Sequence, residues 1–442
     1  MNAQMTHDTI QKRSSREWLW VPLLCFFRGM VLVSLLSVTM VMLKRMGMSN
    51  TMATASTACL ALPWVLRHLL RRVICAGGSR WLWIVLTQAV FALSIWGVAL
   101  TLQPNSGGSV IWVFLVLGAL SGGLHDVAAS DLSRSWIDRR GSSLVGKDSP
   151  SFGSRQVMGL SFFLLAVMVG LGLVLIMAGD MEVLSRSLDD SWGTTFEALA
   201  LFLVGLSVLD ALVLPRDVDG DGTCLTPKGK WSMEEIMAWW RQPLQWVFAA
   251  LVVLFTLHEW MLWRGTLLFL VDPGSIGGLS LGPQEVGFVQ GTVSVLAMMM
   301  GCVLGLETAR KWGVGKSLLP MALLGTLPDV LLLYLAFRMP SDLPTVSLCL
   351  ATEALGCGFA VACFILYIRY NSPGKDHAAH FDICFALVML SSMIGGWCTG
   401  LFQDYLGYRR YFMIVAALAV LALVAVVIAH LLYKKCNSTF SS

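Results

Sequence analysis

The chemistry of this sequence is concentrated between Leu120 and Arg140, where His125, Asp126, Ser130, Asp131 and Arg134 follow an apolar run and lead into Asp138-Arg139-Arg140. An ionisable group inside a hydrophobic span costs about 2.5–3.5 kcal/mol on insertion scales and usually faces a cavity or a partner. Burial makes the charged form of a carboxylate expensive, so Asp126 is a candidate proton-exchanging group. The alternative is an Asp126 permanently paired with Arg155 or Arg134. His125 adjoins Asp126 but points about 100° around a helix, so a relay along one helix face is not expected. A packing role for His125 stands beside a functional one.

Further charged and polar groups sit in other apolar runs. Arg28 can take a carboxylate or phosphate with both arms of its guanidinium, or it can pair internally with Asp126 or another buried acid. Glu259, with His258 beside it, and Glu353 are carboxylates that can carry protons. Glu353 precedes Gly356-Cys-Gly358 and has the alternative of bonding a close backbone. Asp329 after Pro328 is a candidate partner of a helix kink. Asp210 and Asp382 lie near the ends of apolar runs and read as structural.

The elements that must position these groups follow from composition. The 442 residues are 56% hydrophobic and 13% charged, with mean hydropathy +0.72. Soluble domains carry about 25% charged residues. Without water, a lipid-embedded backbone must satisfy its hydrogen bonds within its own segment, so long apolar runs become helices. Runs near the length of about 20 residues that crosses a bilayer recur at 18–43, 49–66, 81–102, 109–133, 154–178, 191–214, 243–263, 284–306, 316–337, 343–368, 380–403 and 408–433. The long polar interruption is 215–242, giving a six-helix bundle over 1–214, a linker, and a second bundle over 243–442. This all-α, twelve-helix arrangement is the layout of the major facilitator superfamily, in which substrate binds near the bilayer midplane.

Most of the 31 Lys and Arg fall on the side of the N-terminus when the spans are threaded alternately, which by the positive-inside rule puts both termini in the cytoplasm. The net charge of +4 thus reports topology, and no nucleic-acid partner is expected. The polar start with Lys12, Arg13 and Arg16, followed by an apolar run too long for a signal core, predicts a first transmembrane helix. The eleven cysteines lie mostly in apolar runs without metal-like spacing and read as small buried residues. In the linker, Asp217-Val-Asp219-Gly-Asp221-Gly222 begins like a calcium loop, but its twelfth position is Lys228 rather than a bidentate Glu. Trp231 to Trp240 reads as a short interfacial helix. No nucleophile elbow or complete phosphate-binding loop occurs, and Gly315-Lys316-Ser317 lacks the preceding glycine-rich loop. No enzyme activity, cofactor or metal is expected.

The chain resembles the AmpG-type branch of the major facilitator superfamily. The likeness rests on His125-Asp126-Val127-Ala128-Ala129-Ser130-Asp131, Lys44-Arg45-Met-Gly-Met-Ser49-Asn50, Leu62-Pro63-Trp64 to Arg67, and Phe255-Thr-Leu-His258-Glu259. It continues through Gly277 to Gly287, Gly291-Thr292, Glu353 to Phe359, His377-Ala-Ala-His380 and Asp404 to Tyr408. The resemblance implies a bacterial inner-membrane permease, proton-coupled, importing cell-wall-derived anhydromuropeptides. In that reading Asp126, Glu259, Glu353 and His125 serve proton coupling, while Arg28, His258 and Arg155 serve a substrate that is an anionic sugar-peptide, and the protein is a monomer. The sequence departs from the branch at Arg28, where an acidic or amide residue is usual, at Ser130 in place of a second acid, and at His68 to Arg72. These departures leave room for another amphiphilic solute such as a siderophore, or for a membrane sensor or scaffold that transports nothing.

Overall fold

In the computed structural model, residues 19–77, 79–102, 110–141, 150–185, 187–215, 237, 239–241, 245–370 and 377–439 are described. The linker turn at Asp217–Gly222 and most of the expected interfacial helix lie outside them.

The apolar runs form helices, as a lipid solvent requires. They are α1 Leu19–Arg45, α2 Asn50–Cys59, α3 Leu62–Val65, α4 Arg67–Ala76, α5 Arg80–Thr101, α6 Val110–Gly141, α7 Met158–Leu184 and α8 Leu188–Val213. The later ones are α9 Gln245–Val271, α10 Pro283–Trp312, α11 Gly315–Arg338, α12 Leu343–Tyr370 and α13 His377–Thr439. Ten helices among the described residues are long and apolar enough to cross a membrane, making this a multi-pass membrane protein. The expected twelve return when two places are read physically. The last helix breaks at Gly407, whose φ of 73° lies in the left-handed region. The expected span 49–66 is divided into α2 and α3, each too short to cross alone.

Among the described residues three π-helical turns interrupt the α-helical hydrogen bonding, at Ser34–Val38 in α1, Met168–Leu173 in α7 and Gly287–Val293 in α10. In α11 a 3-10 turn occupies Leu327–Asp329, where Pro328 lacks the N–H that an α-helix needs.

The chain forms two compact units. One comprises 1–33, 67–167 and 193–230; the other comprises 34–66, 168–192 and 231–442. In α1 and α7 the unit boundary coincides with the start of a π-helical turn. The first unit has a core of Trp20, Leu24, Ile74, Ile84, Val127 and Leu132. The second has one of Phe248, Phe255, Met321, Phe364 and Val426, which also takes in Trp239. Trp239 is fully buried and packs edge-on to Phe248, so this part of the expected interfacial helix is core.

Eight described cysteines are free thiols, most of them buried. Cys75, half-buried near the end of α4, is instead disulfide-bonded.

Candidate functional site

In the first unit, α4 brings two arginines to α6. Arg67 and Arg71 are one helical turn apart and leave α4 on the same face. Asp126, Ser130 and Asp131 answer them on α6. Arg67 Nη1 pairs with Asp126 Oδ2 at 3.3 Å, and Arg67 Nη2 donates to Ser130 Oγ at 3.5 Å. Arg71 Nη2 pairs with Asp131 Oδ1 at 2.9 Å. Arg28 enters from α1, its Nε donating to Asp126 Oδ1 at 2.6 Å and its Nη2 at the same distance. Two guanidinium groups therefore converge on one carboxylate.

Their settings differ. The Arg67 side chain is 1% exposed and that of Arg28 is 23% exposed, against 4% for Asp126. A fully buried charge is held because its partner cannot leave it without a large desolvation cost. Arg28 keeps an accessible edge. Of the alternatives the sequence leaves for Arg28, the structure takes the internal pair with Asp126. The side chains of Arg155 and Arg134 lie outside those described. His125 is buried and its ring packs 4.8 Å from that of Phe27, a packing arrangement on a different face from Asp126. Asp210 is also buried and accepts from Gln88 Nε2 at 2.6 Å.

The second unit holds a different set. Glu259 of α9 meets α12, where Glu353 and Cys357 are one turn apart. Cys357 Sγ donates to Glu259 Oε2 at 3.2 Å, and one ligand atom from each of the three residues lies within 4.8 Å of the others. The rotation of α12 is fixed by close approaches: a Cβ on Gly356 would meet the Leu324 carbonyl oxygen at 2.0 Å, and one on Gly358 that of Met298 at 2.1 Å. His258, the neighbour of Glu259, turns to the 3-10 turn of α11, with its Nε2 2.7 Å from Asp329 Oδ2. His258 is fully buried.

A third polar network, also within the second unit, joins α1 and α2 to α9 and α13. Asp272 is fully buried, with Lys44 Nζ at 2.7 Å from Oδ1 and Asn50 Nδ2 at 2.6 Å from Oδ2. The Tyr408 hydroxyl donates to Asp272, and Asn50 donates to Gln403. Beside them Thr51 donates to Asp404 Oδ2 through its amide at 2.9 Å and its hydroxyl at 2.6 Å.

Sequence reasoning picks out Asp126, Glu259, Glu353, Arg28 and His258 but not Arg67, Arg71, Cys357, Lys44 or Asp272. Arg67, Arg71 and Arg264 count as loop charges when the spans are threaded by hydropathy. They are buried, Arg264 donating to Thr57 Oγ1 at 2.9 Å: α9 runs on past the end of its apolar window, and Arg67 and Arg71 fall on a separate helix, α4, that packs on α6. The four-residue spacings Arg67/Arg71 and Glu353/Cys357 are the available signal.

This all-α arrangement is the major facilitator fold. Solved structures that it resembles include the nucleoside transporter NupG, with a TM-score of 0.65 at 14% identity over 94% of this chain and 98% of that one. Another is a D-xylose-proton symporter, with a TM-score of 0.64 at 14% identity over 93% and 96%. No sequence-family model and no curated protein matches the chain.

Proposed function

We propose that this protein is a proton-coupled secondary transporter that imports an anionic, cell-wall-derived sugar-peptide of the GlcNAc-anhydromuropeptide kind. The observation that carries this reading is the arrangement at Asp126, where one carboxylate is shared by a sealed arginine and an accessible one. Protonation of Asp126 weakens its hold on Arg28, whose accessible edge can then take a carboxylate of the solute. Return of the proton to solvent restores the Arg28–Asp126 pair and expels the anion. Proton and anion thus bind together and leave together, which is symport.

The major facilitator fold supports transport as the activity, and the fourth-helix motif around His125 and Asp126 supports the muropeptide class. Glu259 and Glu353 form a second place where a cation can be held.

The test is uptake of a radiolabelled anhydromuropeptide into proteoliposomes under an imposed pH gradient. Gradient-driven accumulation that is lost in Asp126→Asn, with the purified variant still folded, is the expected result. Accumulation of no cell-wall fragment by the wild type overturns the reading. Accumulation by Asp126→Asn equal to wild type removes Asp126 from the coupling step.

A further inference from the structure

Glu353 and Cys357 project from one face of α12 toward Glu259 of α9, two carboxylates and a thiol gathered inside an apolar bundle. We propose that Glu259, Glu353 and Cys357 bind a divalent transition-metal cation of the zinc class, with three protein ligands and one coordination position left open.

The donor distances suit it. Zinc–sulfur bonds of about 2.3 Å and zinc–oxygen bonds of about 2.0 Å at a tetrahedral angle place the two donors about 3.5 Å apart. The sulfur of Cys357 and Oε2 of Glu259 are 3.2 Å apart, and an oxygen of Glu353 lies within 4.8 Å of both donors. The donor types set the metal class. Calcium and magnesium want six or more oxygens, whereas a thiolate selects a softer ion and the carboxylates remain acceptable to zinc. Closed structural sites use four protein ligands, so three ligands make an exchangeable site.

A separate observation points the same way. Asp329 is 3% exposed and its Oδ1 is buried without a hydrogen-bond partner. Oε1 of Glu259 is likewise buried without a hydrogen-bond partner. Oxygen atoms so placed demand a cation or a proton; on binding the ion the Cys357 thiol releases its proton to solvent, and the divalent charge offsets two of the three ligand charges. His258, adjacent to Glu259 in the chain, is itself paired with Asp329.

The full-length protein, stripped with chelator in detergent, is titrated with Co2+ and then with Zn2+. One Co2+ per chain with a sulfur-to-cobalt charge-transfer band, displaced by Zn2+, is the expected result. Cys357→Ser abolishes the band, Glu353→Gln keeps it while weakening binding at least tenfold, and Cys349→Ser, on the same helix but outside the cluster, leaves binding unchanged. Zn2+ also raises the melting temperature of the wild type and not that of Glu353→Gln. A wild type without the band, or a band that survives Cys357→Ser, overturns the proposal. Binding is read at equilibrium with neither solute nor gradient, so its failure leaves the transport reading intact, and the converse holds.

Discussion

Gly172 and Gly291 approach so closely that a methyl group on Gly291 would lie 2.3 Å from the backbone nitrogen of Gly172 and 2.4 Å from its Cα. Both residues sit on π-helical turns, Met168–Leu173 of α7 and Gly287–Val293 of α10. In lipid there is no hydrophobic drive between helices, and close backbone packing through small residues holds them together. Gly291→Ala must push α7 and α10 apart, and the overpacking is expected to cost about 1–3 kcal/mol. Gly205, where an added methyl group would meet nothing within 4 Å, serves as the control. Thermal melting in detergent should show Gly291→Ala well below wild type and Gly205→Ala no lower than wild type; equal melting of all three refutes the packing role.

The Lys44–Asp272 pair is expected to behave as a buried ion pair. Removing one partner leaves a charge without compensation, which costs about 3–5 kcal/mol. Asp272 has no exposed side-chain surface and Lys44 only 14%. Lys44→Met and Asp272→Asn should each destabilise the protein strongly, while the double variant loses clearly less than the sum of the two. A double-mutant cycle on chemical or thermal unfolding reads the coupling. Strict additivity would show that Asp272 is held by Asn50 and Tyr408 alone.

How far a feature is legible in the sequence depends on whether composition or rotation carries it. The helices at Arg80–Thr101, Leu188–Val213 and Gln245–Val271 follow directly from runs of apolar residues, since lipid admits little else. The turn that divides α2 from α3 falls in the apolar stretch Ala58-Cys-Leu-Ala-Leu62, where hydropathy is blind to it. Partners across helices are harder still. Whether Arg67 faces solvent or Asp126 depends on how α4 is turned about its own axis, and an averaged hydropathy window discards that angle. Asp126 stands out because it lies within a span; Asp272 does not, because it lies beyond the apolar run 243–263, just past the end of α9. Cys357 resembles any other buried cysteine until α12 brings it against Glu259.

Asp342 caps the start of α12, accepting from the Thr345 amide at 3.0 Å. Hydrogen bonds from the Thr345 side chain and backbone hold its carboxyl below the ordinary carboxylate range. A depressed folded-state pKa contributes stability that is present above the unfolded pKa and lost as pH falls through the folded one. Asp342→Ala is therefore expected to melt below wild type at neutral pH, with the gap narrowing in acid. A gap independent of pH would show that the carboxylate charge contributes nothing to the cap.

Arg28 and Arg67 bind the same carboxylate, yet their replacement is expected to have opposite consequences. Arg67 is sealed against α6, where it also reaches Ser130. Arg67→Ala removes a buried charge from a set that includes Asp126 and should cost about 3–5 kcal/mol, seen as a large drop in melting temperature. Arg28 keeps 23% of its side chain exposed, so water can take over part of what Asp126 loses in Arg28→Ala, and the drop should be smaller. For solute binding the order reverses. Arg28→Lys preserves the charge but not the two-armed geometry, and a bidentate contact that becomes a point charge should weaken affinity for an anionic solute about tenfold. Equilibrium binding of the anhydromuropeptide and melting of the same preparations separate the two roles. Should Arg28→Lys bind as tightly as wild type, the exposed edge of Arg28 has no part in recognising the anion, and the pair with Asp126 is structural on both sides.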